Sequence, residues 1–224
     1  MSKQEVRRNP LADWVVAIVQ YVRGHQSLVL SVVIAAVVIA GALGAFFWYE
    51  GRQELEARHA LGKAEAALGG QKPGIPGNLD DAAKQFADVA AKYPRTVSGE
   101  EAIVRLGNLR YDGGKFDEAI SAYSQHLSQF PRGKFRVLAA VGKAYAEEAK
   151  GDLQAEVKTL TAIVDSAATD PLAGEAYTTL ARAYEALKKP EDALRVYGQI
   201  TDKFPQTQWA QNALQRMSAL KAKS

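Results

Sequence analysis

GGKFDEAISAYSQHLSQFP (113–131) decides the fold, because two other segments repeat its plan. These are GNLDDAAKQFADVAAKYP (77–94) and KKPEDALRVYGQITDKFP (188–205). Each has acidic residues just ahead of an alanine, an aromatic residue four positions after it, and an aromatic-proline close. The alanines are Ala82, Ala119 and Ala193, the aromatics Phe86, Tyr123 and Tyr197, and the closures Tyr93-Pro94, Phe130-Pro131 and Phe204-Pro205. Ala82 and Ala119 are 37 residues apart, and Ala119 and Ala193 are 74 apart, so one less well kept copy lies between. A fixed period of this length marks stacked supersecondary units.

A first helix precedes each of these second helices. Leu106-Gly107, Val141-Gly142 and Leu180-Ala181 put a small residue behind a large one, which lets the paired helices approach closely. The recurring alanine does the same from the second helix, and the aromatic fills the gap towards the next pair. Proline ends the unit because it has no N–H and its ring clashes with the preceding turn. This combination resembles the tetratricopeptide repeat over residues 51–222. The copy at 135–171 departs from it, with Glu156 at the alanine position and Pro171 late. Residues 69–78, GGQKPGIPGN, read as a turn-rich insertion inside the first pair. Residues 207–222 read as a capping helix with Ala210, Leu214 and Met217 turned inward.

Ahead of the array, residues 28–49 read LVLSVVIAAVVIAGALGAFFWY, without a charge. At helical rise this stretch covers roughly 33 Å, enough for a bilayer core of about 30 Å. Its aromatic end suits a membrane interface. Its length, and the residues before it, favour a retained anchor over a cleaved leader. Ala40 with Gly44, and Gly41 with Ala45, put small residues four apart, a spacing that permits close helix contact. Residues 11–22 carry Leu11, Trp14, Val15, Ile18, Val19 and Val22 on one face. That helix either lies on the membrane surface, packs on a partner's membrane helices, or extends the anchor. Lys3, Arg7, Arg8 and Arg23 before the span outnumber Arg52, Arg58 and Lys63 after it. This slight excess favours a cytoplasmic N-terminus with the array on the far side, which in a bacterium is the periplasm. The expected organisation is a tail at 1–27, a transmembrane helix at 28–49, and an all-α tetratricopeptide-type solenoid at 51–224.

The chain has no cysteine, which excludes thiolate metal sites and cysteine nucleophiles. Beyond residue 49 it carries 24 Lys and Arg against 23 Asp and Glu, so no basic stripe for nucleic acid is expected. His25, His59 and His126 are scattered and lack catalytic spacing. The acidic pairs Asp80-Asp81, Asp117-Glu118 and Glu191-Asp192 fall in first helical turns, where the helix dipole explains them. No catalytic residue, cofactor, metal or small-molecule substrate is expected. The first helices of such arrays line a groove for proteins. Candidate groove residues here are Asn108, Tyr111, Thr178, Arg182 and Glu185.

The layout also resembles the YfgM-like family of bacterial tetratricopeptide proteins. Four features carry the resemblance: a short tail, the Trp14 and Tyr21 helix, an apolar helix ending in Phe46-Phe47-Trp48-Tyr49, and repeats beginning at Glu54–Leu68. It implies an ancillary subunit of the Sec translocon in the inner membrane. Such a subunit associates with translocon proteins and a membrane-anchored periplasmic prolyl isomerase–chaperone, and assists the trafficking of secreted proteins. Some tetratricopeptide proteins hold a terminal carboxylate with a clamp of Lys, Asn and Arg. Only Asn108 and Arg182 match it, in different repeats, so that activity is not expected. The alternatives are a generic anchored scaffold for envelope assembly (cell wall, pilus or outer membrane) and a cytosol-facing receptor of opposite orientation.

Overall fold

A computed structural model describes residues 10–69, 79–166 and 170–222, apart from the side chains of residues 10–13 and 17. The insertion at 70–78 and the charged residues of the first nine positions lie outside this set. The described residues form ten helices and no strand: α1 Pro10–Gly24, α2 Gln26–Gly69, α3 Leu79–Lys92, α4 Val97–Asp112, α5 Phe116–Gln129, α6 Arg136–Ala149, α7 Leu153–Val164, α8 Ala173–Ala186, α9 Pro190–Lys203 and α10 Gln208–Lys221. The chain divides into two compact units, Met1–Arg52 and Gln53–Ser224.

In the first unit, α1 and α2 are separated at His25, whose ring stacks on Tyr21 at 4.5 Å. Trp14, Val15, Ile18, Val19 and Val22 are all exposed. Among the described residues one helix, α2, is long and apolar enough to cross a membrane by length and composition, and its apolar stretch is unburied. That helix does not end with the apolar run. It continues to Gly69, so the apolar segment and the first helix of the array are one element.

In the second unit, helix follows helix as antiparallel neighbours, each packing on the next from α3 to α10. The periodicity comes through in register. Ala82, Ala119, Glu156 and Ala193 are each the fourth residue of their second helix, and all four are buried. Tyr123 shows why the neighbouring positions must be small. A Cβ at Gly107 would lie 2.5 Å from its ring, and a Cβ at Gly142, in the next pair, 2.6 Å. One aromatic side chain is thus clasped by two first helices.

The buried apolar residues form three clusters. The first joins Ala57, Leu61 and Ala64 of α2 to Phe86 of α3 and Ile103 of α4. A small one surrounds Tyr123 with Val104, Ala119, Ala139 and Ala146. The third runs from Val137 through Tyr177 and Tyr197 to Ala213. Glu54 of α2 receives the start of α4: its Oε2 accepts from the Val97 N–H at 2.8 Å and its Oε1 from the Ser98 hydroxyl at 2.7 Å. A carboxylate there satisfies free N–H groups and meets the positive end of the helix.

The capping helix differs from expectation in one residue. α10 buries Ala210 and Ala213 and rests Met217 and Leu220 on the core, while Leu214 is 56% exposed. The inward stripe follows 210, 213, 217 and 220, which leaves 214 on its flank, roughly 80° round the helix from the centre of the stripe.

Candidate functional site

The first helices of the array touch one another. α4 contacts α6, α6 contacts α8, and α8 contacts α10, whereas no two second helices touch among the described residues. The first helices therefore form the inner row of the stack, as the repeat pattern requires.

A cavity of about 350 Å³ opens on this row between α8 and α10, lined by Thr178, Arg182, Tyr197, Asn212, Gln215 and Arg216. Thr178 and Arg182 occur one turn apart on α8, which puts them on one face. The Thr178 hydroxyl donates to the Gly174 carbonyl at 2.7 Å. Arg182 is 56% exposed and stands 3.9 Å from Glu148 of α6, beyond hydrogen-bond reach. Its guanidinium therefore keeps most of its donors for solvent or a ligand. Arg216 is engaged, gripped by both oxygens of Glu185. Glu185 also accepts from the Tyr197 hydroxyl at 2.6 Å. Burial first, and then this carboxylate, push the Tyr197 phenol up to about 12, so it stays a donor.

Three of the five predicted groove residues meet here: Thr178 and Arg182 in the lining, Glu185 as the brace behind Arg216. The other two are elsewhere, on α4. Asn108 Oδ1 accepts from the Tyr123 hydroxyl at 2.6 Å. Tyr111 packs against Phe116, with ring centroids 5.6 Å apart. Tyr197, Asn212, Gln215 and Arg216 were not anticipated. The residues at 212, 215 and 216 have helical spacing on the polar side of α10, and a reading of that helix as more than a cap would have found them.

His126 is fully buried and serves as a packing residue. Its Nε2 lies 3.0 Å from Glu100 Oε1, which also accepts from the Phe135 N–H at 2.9 Å. Burial holds its pKa below the usual value, against the pull of Glu100. This pair ties α4 and α5 to the start of α6 and is remote in sequence from the cavity residues. The acids of the first turns prove to be tied across pairs as well: Asp80 receives Arg110 and Lys115, and Asp117 receives Lys150.

Stacked helix pairs whose first helices form one inner row define a tetratricopeptide-type scaffold, a fold that serves protein–protein interaction. The chain belongs to the YfiO family, described as outer membrane lipoprotein; the family's sequence model matches residues 70–223. No curated protein matches it. Among solved structures, it is similar to a tetratricopeptide repeat protein from Parabacteroides merdae at 15% identity and a TM-score of 0.58, over 75% of this chain and 60% of that one. It is also similar to MamA from Desulfovibrio magneticus at 16% identity and a TM-score of 0.54, over 75% of this chain and 84% of that one. At these identities the likeness is one of fold. These 224 residues include no cysteine that could carry a thioether-linked lipid.

Proposed function

We propose that this protein is a membrane-anchored, non-catalytic scaffold of the bacterial envelope that holds extended segments of other proteins in the groove of its repeats. The observation that carries this is the cavity between α8 and α10, where the exposed Arg182 guanidinium and the carboxamides of Asn212 and Gln215 stand around one opening. Arginine at such a place supplies fixed donors for carboxylates and backbone carbonyls. The apolar part of α2 serves as the anchor in the inner membrane, with the N-terminus cytoplasmic and the array periplasmic. The charge excess ahead of the span supports that orientation.

Within this reading, the YfgM-like layout of tail, span and repeats supports an ancillary role at the Sec translocon. The partners would then be translocon subunits and a membrane-anchored periplasmic chaperone or prolyl isomerase. The match to a family of outer membrane lipoproteins favours a second reading, a scaffold in outer-membrane assembly. A photo-crosslinking residue at position 178 of the full chain in native membranes, with mass spectrometry of the adducts, separates the two. Translocon and chaperone adducts support the first reading, and outer-membrane assembly factors the second. Adducts no richer than those from the exposed position 158 on α7 would refute the groove as the binding surface. Reporter fusions after Ser224 test the orientation.

A further inference from the structure

We infer that the third helix pair, α6 with α7, is a proton-controlled joint of the array, closed while the Glu156 carboxyl is protonated and loosened when it ionises. The inference does not depend on what the groove binds. It begins with register. The fourth residue of a second helix is buried in every pair, and Ala82, Ala119 and Ala193 occupy that place with no exposed surface. Glu156 takes the same place and is 1% exposed. A longer, ionisable side chain stands where the other pairs hold a methyl group, almost wholly shielded from solvent.

The surroundings do not supply what a carboxylate needs there. Among the described residues Glu156 Oε2 is buried without a hydrogen-bond partner, and so is Glu147 Oε2 on the facing helix. α7 packs on α6 and α8. The charged groups these helices turn towards Glu156 are Glu147 and Glu148 of α6 and Arg182 of α8. Lys143 of α6 is the cation inside the pair, and it is already spent, 2.8 Å from Glu147 Oε1 and 2.8 Å from Thr159 Oγ1. Arg182 lies at the rim and is more than half exposed. On α8, Glu175 is held by the Tyr145 hydroxyl. The half-buried Lys143 ammonium is thus committed to Glu147 and Thr159, and Glu156 has no cation of its own inside the pair.

A buried carboxylate without donors is expensive, whereas the neutral acid needs far less from its site. Burial first, then the neighbouring charge of Glu148, push the Glu156 carboxyl up from its ordinary 4.5 to about 7, against a smaller opposing pull from Arg182. The folded pair thus holds a proton that the opened pair releases. Its stability is greatest below about pH 4.5, falls as pH rises through the window to about 7, and is level beyond. The buried His126, on the neighbouring pair, has the opposite sign, because it must gain a charge as pH falls. The two effects separate on substitution.

The test is hydrogen exchange by mass spectrometry on the full chain in detergent micelles at pH 5, 6, 7 and 8, corrected for the chemical exchange rate. The wild type should lose protection in α6 and α7 by up to about tenfold per pH unit between pH 5 and 7, the limit for one linked proton. Glu156→Gln, which keeps shape and polarity without ionising, should remove that slope. Glu156→Ala, which restores the residue of the other pairs, should remove it too, and it decides the matter if the glutamine variant does not fold. The inference is overturned if the wild type shows no slope in α6 and α7, if a folded variant keeps the slope, or if α4 and α5 lose protection equally.

Discussion

Adding one methyl group at Gly142 should weaken the array, although the same change favours an isolated helix. Alanine in place of glycine inside a helix gains roughly 1 kcal/mol from backbone entropy. Against this, the new Cβ would stand 2.6 Å from Tyr123 Cζ and 2.8 Å from its oxygen. Ordinary carbon contacts lie near 3.5–4.0 Å. The ring has nowhere to retreat, because a Cβ at Gly107 on its other side would already be 2.5 Å away. Its hydroxyl is also tied to Asn108. Overpacking of this kind costs about 1–3 kcal/mol. With the ring held on both sides the upper part of that range applies, and the net loss should be about 1–2 kcal/mol after the helical gain is deducted. Urea titration of residues 53–224, followed by helical circular dichroism, measures it. The same substitution in a Tyr123→Ala background should be neutral or stabilising, because the obstacle is gone; the difference between backgrounds is the coupling. An unchanged or raised midpoint for Gly142→Ala in the wild-type background refutes the clasp, and so does an equal loss in both backgrounds.

A fragment of residues 53–224 should be soluble and predominantly helical by circular dichroism; substantial sheet content would contradict the repeat fold. Ala193→Trp should lower the melting temperature, since a close helix contact with no spare volume loses about 1–3 kcal/mol or more on overpacking. Lys188 has φ 58°, in the turn where the preceding pairs place Gly151 and Gly114 at φ 79° and 71°. Lys188→Gly should therefore raise stability, by roughly 1 kcal/mol, the cost of a Cβ in the left-handed region; a lower melting temperature would count against it. His126, kept neutral by burial, contributes stability that is complete above its ordinary pKa of 6.5 and lost as pH falls below it. In a Glu156→Gln background, melting should rise from pH 5 to 7, and His126→Phe should flatten that rise.

The fold was legible because its determinants are local and periodic. Small residues recur where helices touch, and prolines where they stop. The register was clear enough to expose Glu156 as the odd member, since an offset of 37 residues needs no contact to be noticed. What sequence could not supply was the meaning of that departure, which depends on Lys143 being already committed to Glu147 and Thr159. The site was only half legible for a related reason. Thr178 and Arg182 follow from helical spacing on α8, but Asn212, Gln215 and Arg216 come from the middle of α10, where the repeat pattern has faded. Leu214 was misplaced there because no following helix fixes which side of α10 is inner. The His126–Glu100 pair bridges 26 residues and left no local signal.

The three separate pools of apolar side chains have a mechanical consequence. The middle one is the thinnest, with Tyr123 as its one large, fully enclosed member. A pulling force applied between residue 53 and Ser224 would find its fault line there. The molecule should tear first beside that ring and leave a block from α2 to α4 and another from α6 to α10, each still knitted by its own pool. In an optical trap this would read as a sequence of small rips rather than one large one.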